Sequence, residues 1–220
     1  MSTQPRGPRL QRGALVTTTQ GGARSTVVPF QYNPASLSRT LQPQYFGADD
    51  TARAQPVRFA FPAVQVLTLE VEIDAADLLE AGDATTADLG IHPQLAALEL
   101  LVHPSLADVT LATSLLASGT IEIGPTLAPP TFFVWGPRRV LPVRVESVSV
   151  DEQLFDPHLN PIRATLTLQL RVLSFADLDT TSPGYAVYRA YQTTLEGLAS
   201  SGSSQTATLA TNVAAIPRGL

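Results

Sequence analysis

Phe132-Phe-Val-Trp-Gly136, then Arg138 to Asp151, then Leu154-Phe-Asp-Pro-His-Leu-Asn-Pro161, then Ile162 to Phe175 is the stretch whose reading decides the fold. Ile162, Ala164, Leu166, Leu168, Leu170 and Val172 are apolar, while Arg163, Thr165, Thr167, Gln169 and Arg171 between them are polar. That alternation predicts a long strand with one dry face and one wet face. Val143 and Val145 alternate with Arg144 and Glu146, but beyond Ser147 the apolar parity moves to Val148 and Val150. A β-bulge near Ser147 accounts for the shift. Pro157, Asn160 and Pro161 fit a turn and are unsuited to a sheet interior, so the two runs form a long antiparallel hairpin. Burying the aliphatic side chains of the second strand returns roughly 9 to 18 kcal/mol at about 1.5 to 3 kcal/mol each. Fixing the strand's backbone costs about 11 to 22 kcal/mol. The hairpin must therefore be covered by the rest of the chain or by another subunit.

Outward from that hairpin, the 220 residues fit one domain with tails. Hydrophobic residues are 44% and charged residues only 15%, a composition that suits a subunit of an assembly. The net charge of -5 argues against general nucleic-acid binding, and every basic side chain is Arg. Without cysteine there are no disulfides, thiol nucleophiles or thiolate metal sites. No signal peptide, membrane span or membrane insertion is expected, so the chain is read as folding in the cytosol unless another machine exports it.

Four regions follow: an N-terminal arm over 1–12, a β domain over 13–181, a C-terminal helix over 182–198 and a loose tail over 199–220. Gly13 to Thr18 and Ser25 to Phe30 read as strands joined by a Gly-Gly turn. Asn33, held before Pro34, ends the second strand in a fixed turn. Leu41 to Pro56 lacks periodicity and reads as a long loop. Leu67, Leu69, Val71 and Ile73 alternate with Thr68, Glu70, Glu72 and Asp74 in another strand. Ala75 to Leu89 reads as a brief helix or surface loop. His92-Pro93 opens a clear helix with Leu95, Leu98, Leu101 and Val102 on one face, ending before Pro104. Ser105 to Pro130 is either a short strand around Ile121 and Ile123 or an irregular crossover. Ser182-Pro183 opens a last helix with Val187, Tyr191, Leu195 and Leu198 at helical spacing. The expected fold is α+β and mostly β, an antiparallel barrel or sandwich with a flanking helix.

Chemistry is sparse. His92 and His103 lie about 15 Å apart along one helix, too far to share a metal, and His158 stands alone. Glu70 and Glu72 share a wet strand face, where nothing raises one carboxyl for acid–base work. No nucleophile elbow or phosphate loop is present. Trp135 is either a ligand platform or a buried strand-end anchor, and the anchor is the better reading. Gly136 after it marks a backbone position a side chain would obstruct. No catalytic, cofactor or metal residue is assigned.

Phe30-Gln-Tyr-Asn-Pro34, the strand Leu67 to Asp74, the His-Pro helix, Pro129-Pro-Thr-Phe-Phe-Val-Trp-Gly136 and Leu154-Phe-Asp with Asn160-Pro-Ile-Arg-Ala164 together resemble the contractile injection system tube-protein family. The likeness runs from Ala14 to Phe175 and is similar to the LysM-bearing baseplate component of phage-tail-like particles. It implies a tail-tube-like β-barrel without catalytic residues. It further implies a homo-hexamer ring around the base of the inner tube, an adaptor between the tube and spike hub proteins and the baseplate wedge proteins. Such a particle is assembled in the cytosol and released. A tube, initiator or terminator subunit is the alternative within that class, and a monomeric β-barrel binding a small ligand the alternative outside it. Two features depart from the pattern: a low-complexity tail stands where a LysM domain is common, and Asn160 stands where Gly is frequent, which a left-handed conformation at Asn would allow. Asn33, Pro34, Trp135, Gly136 and Phe155 are then interface anchors, and Arg144, Glu146, Arg163 and Arg171 a charged face where copies meet. Arg163→Glu is expected to block assembly and leave the monomer folded.

Overall fold

The structure, a computed structural model, describes residues 11–18, 25–46, 57–118 and 128–206. Its strands are β1 (Ala14–Thr18), β2 (Ser25–Pro29), β3 (Leu37–Phe46), β4 (Arg58–Asp74), β5 (Thr131–Val134), β6 (Val140–Phe155) and β7 (Pro161–Val172). Its helices are α1 (Ala76–Glu80), α2 (Ala84–Leu89), α3 (His92–Glu99), α4 (Leu106–Ala117) and α5 (Pro183–Thr206). The strands form one sheet in the order β2-β1-β5-β6-β7-β4-β3, with every neighbouring pair antiparallel. The fold is α+β and mostly β, as expected, but the sheet is open. Among the described residues β2 and β3 are its two edges and do not pair with each other.

The β6–β7 hairpin sits at the centre. Ala164, Leu166, Leu168, Leu170 and Val172 are all buried, so the period-two alternation sets the face. The parity shift is a bulge at Glu146: Val145 pairs with Leu170 and Ser147 with Gln169, leaving Glu146 unmatched. β4 lies on the other side of β7 from Gln65 opposite Val172 to Asp74 opposite Arg163, and buries Leu67, Leu69, Val71 and Ile73. Helices α3 and α5 contribute Leu95, Leu98, Tyr188 and Tyr191 to the same core, with Phe30, Ile91 and Phe133.

Several elements differ from the sequence reading. Residues 41–46 belong to β3 and are not loop; Pro43 hides the strand from pattern recognition, and an edge position tolerates it. The β3–β4 register slips twice, between Gln42, Gln44 and Tyr45, which further blurs the alternation. Ser105 to Ala117 is a capped helix and no crossover: the Ser105 Oγ accepts from the Asp108 N–H at 3.1 Å. α3 stops at Glu99, and Val102 is exposed in the turn beyond it. The buried face of α5 runs through Gly184, Tyr188 and Tyr191, with Phe175 packed on Tyr185 and Tyr188 at 4.9 and 4.8 Å. Val187 is half-buried beside that face, and the helix continues past Leu198 to Thr206. The Gly-Gly turn at 21–22, the loop over 47–56, the alternation around Ile121 and Ile123, most of the N-terminal arm and residues 207–220 lie outside the described residues.

Candidate assembly interface

The Phe30-Gln-Tyr-Asn-Pro34 segment is a clasp built from side-chain amides. Gln31 accepts from the Asp74 N–H at 2.9 Å and donates Nε2 to the Asp74 carbonyl at 2.6 Å, so it pairs with the end of β4 as another strand would. Asn33 does the same at β1, with Oδ1 accepting from the Gly13 N–H and Nδ2 donating to the Gln11 carbonyl, each at 2.8 Å. Tyr32 donates its hydroxyl to Asp77 at 3.2 Å, and Pro34 is half-buried. The predicted turn is present, but its work lies in Gln31 and in the Asn33 side chain, for which pattern analysis has no signal.

Trp135 is half-buried and stacked on Phe133 with centroids 5.8 Å apart and planes 13° from parallel. Its ring lies over Gly13, where an added Cβ would come within 2.7 Å of it. Trp135 thus packs on Phe133 and over Gly13 while keeping part of its ring exposed, and Gly13 is the position a side chain would obstruct. Gly136 needs to be glycine for another reason: its φ is +73°, while an added Cβ would meet only the Gln11 Oε1 at 3.5 Å. Asn160, unlike Gly136, is not left-handed. Leu159, φ 67°, and Leu154, φ 54°, take that conformation, and Asn160 instead donates Nδ2 to the Asp88 carbonyl and to the Asp156 carboxylate at 2.9 and 2.8 Å. Burial opposes ionisation of Asp156, yet hydrogen bonds from the Asn160 side chain and from the Asn160 and His158 N–H groups hold its carboxyl below the usual range.

The charged residues divide into two separate clusters. Arg144 and Arg171 face each other across β6 and β7. Each is paired within the chain, Arg144 with Glu146 at 3.5 Å and Arg171 with Asp177 at 3.2 Å. Arg163, about 26 Å farther along β7 at the strand rise, binds Asp74 and lies 3.7 Å from Glu72. Glu72 and Asp74 thus meet an arginine of the same subunit. Arg163→Glu would set a third carboxylate beside them and damage the monomer, contrary to the expectation that it stays folded.

Exposed apolar groups cluster at opposite ends of the sheet. Leu154, Phe155 and Leu159 crown the β6–β7 turn, two of them in the left-handed backbone that side chains rarely adopt. Tyr45, Phe46, Val57 and Phe59 crown the β3–β4 end, with the Tyr45 and Phe59 rings 5.2 Å apart. Among the described residues no group of three or more His, Cys, Asp or Glu could hold a metal. No helix of the described residues is long and apolar enough to cross a membrane.

Comparison with solved structures finds a likeness to a chain titled "Tail of empty GTA particle computed with helical refinement, C6 symmetry", at 7% identity and a TM-score of 0.27, covering 73% of this chain and 90% of that one. No curated protein matches. The family model described as contractile injection system tube protein matches residues 14–177, from the first strand through Asp177, the partner of Arg171. With most of its length matched, the chain belongs to the contractile injection system tube protein family.

Proposed function

We propose that this chain is a structural subunit that closes into a hexameric ring and joins the inner tube and spike hub to the surrounding baseplate. The observation that carries the reading is the open sheet: β2 and β3 each leave one backbone edge without a strand among the described residues. Edge strands recruit other strands unless something covers them. A head-to-tail ring in which the β3 edge of one copy meets the β2 edge of the next satisfies both at once. The two apolar ends of the sheet support an adaptor, because Leu154, Phe155 and Leu159 at one end and Phe46 and Val57 at the other offer separate apolar surfaces to neighbours above and below. The role is mechanical and needs no catalysis. The particle is assembled in the cytosol and leaves the cell as a whole.

Counting copies in purified particles by quantitative mass spectrometry tests this reading. An adaptor is present at one ring per spike whatever the tube length, whereas an abundance that scales with tube length makes the chain a tube subunit. A chain absent from particles and monomeric in solution defeats the proposal.

A further inference from the structure

Helix α4 has no buried residue. Leu106 is 80% exposed and Leu111 59%, with Val109, Leu115 and Leu116 also at the surface. Its hydroxyls offer little to water, since Thr110 and Thr113 donate to the carbonyls of Leu106 and Val109 and Ser114 to that of Leu111, at 2.7 to 2.8 Å. At about 100° per residue, Leu111, Leu115, Asp108, Ala112 and Leu116 fall in that order around one side. A carboxylate therefore stands inside the apolar arc. Beyond the Ser105 hydroxyl, 2.5 Å away, Asp108 has no ion-pair partner among the described residues. A partner that suits this helix is apolar and places a cation near the Asp108 carboxylate.

The same chain carries a surface of that kind. A groove of about 520 Å³ runs between the β3–β4 hairpin and α5, lined by Leu41, Phe59, Phe61, Tyr191 and Leu195 over Gln65. Phe59 is 73% exposed. Gln65 is only 7% exposed, and its Nε2 has no acceptor. Beside the groove Arg39 donates to the Tyr191 hydroxyl at 3.3 Å and has no carboxylate partner among the described residues. The groove thus supplies apolar walls and donors, and α4 supplies leucines and an acceptor. Helix-in-groove recognition places leucines at i and i+4, here Leu111 and Leu115, against such walls.

We propose that α4 of one copy docks in the α5/β3–β4 groove of the next, with Asp108 giving Arg39 the carboxylate it lacks within its own chain. The inference rests on the ring reading above and names a second contact of that ring. It is head-to-tail, because α4 and the groove are different surfaces.

The cysteine-free chain makes the test direct. Leu111→Cys with Phe59→Cys, oxidised, is expected to give a ladder of disulfide-linked copies, as is the edge pair Val27→Cys with Thr40→Cys. A ladder from the edge pair alone overturns the α4 contact and leaves the ring standing. A disulfide closed within one chain overturns it too, since α4 then covers its own groove. No ladder from either pair, with a monomeric mass, removes the ring and this contact together. In the cysteine-free background, Asp108→Arg or Arg39→Glu alone is expected to weaken association about tenfold, with the two together restoring it. Failure of the double variant to recover, with native circular dichroism, counts against the pairing.

Discussion

Gly90 sits where the chain leaves α2 and passes under the β6–β7 turn. Its φ of 57° and ψ of −136° lie in a region open only to glycine, and an added Cβ would come within 2.3 Å of the Pro161 carbonyl oxygen. That oxygen already accepts from the Ile91 N–H at 2.9 Å and cannot move away freely. Gly90→Ala is expected to destabilise the subunit by about 3 kcal/mol or more, measured as a lower urea midpoint with unchanged slope. A glycine just past a short helix is a recognisable stop signal, so this position was open to sequence reasoning, though its contact with Pro161 was not. Asp74 gives a pH-dependent counterpart. The Ala76 N–H holds its carboxyl below the usual range, against the opposing effect of burial and with help from the Arg163 guanidinium. A depressed carboxyl contributes stability that is complete above its unfolded pKa of about 3.9 and is lost as pH falls through the folded value. Asp74→Asn should therefore be less stable than the parent near neutrality and show a smaller further loss below about pH 4, read from urea midpoints across that range.

β3 is the exposed sheet edge on which the proposed ring turns. It is nearly all exposed, pairs only with β4, and ends in Tyr45 and Phe46. Lysines along an edge discourage added strands without disturbing the strand already paired. Thr40→Lys with Val27→Lys is expected to leave the thermal midpoint within a few degrees and to abolish higher assemblies in sedimentation velocity, the shift corresponding to less than about 1 kcal/mol. β7 and the core half of β4 were legible because both have one wet and one dry face, which is the condition for a period-two signal. β3 was not, because a strand wet on both faces with a proline inside it has no such signal. α4 escaped for the mirror reason: its leucines lie on surface that this subunit leaves uncovered, so their spacing points to no internal partner.

On the scale of the whole subunit, an assembly component shows itself by what stays uncovered. Leucines on α4 and aromatics on β3 and β4 remain at the surface of a chain with a 15% charge content. An isolated subunit is expected to enhance anilinonaphthalene sulfonate fluorescence while keeping its near-ultraviolet circular dichroism, and to lose the enhancement on assembly. Equal dye binding before and after assembly would mean that these surfaces stay wet in the particle. Of the residues singled out from sequence, Asn33, Trp135 and Gly136 proved to shape the fold locally, and the arginines to be neutralised within the subunit. The uncovered apolar residues that mark the candidate contacts carry no reactive groups, so a search for chemistry passes over them.

β4 has one further consequence. It runs for 17 residues from the aromatic end to the Gln31 clasp, held by β3 on one flank and β7 on the other. Ladder bonds lie across a strand, so tension drawn along β4 loads them side by side in shear and does not peel them open in sequence. A recoil arriving at one end of the subunit is in this way shared among many bonds before any one of them breaks.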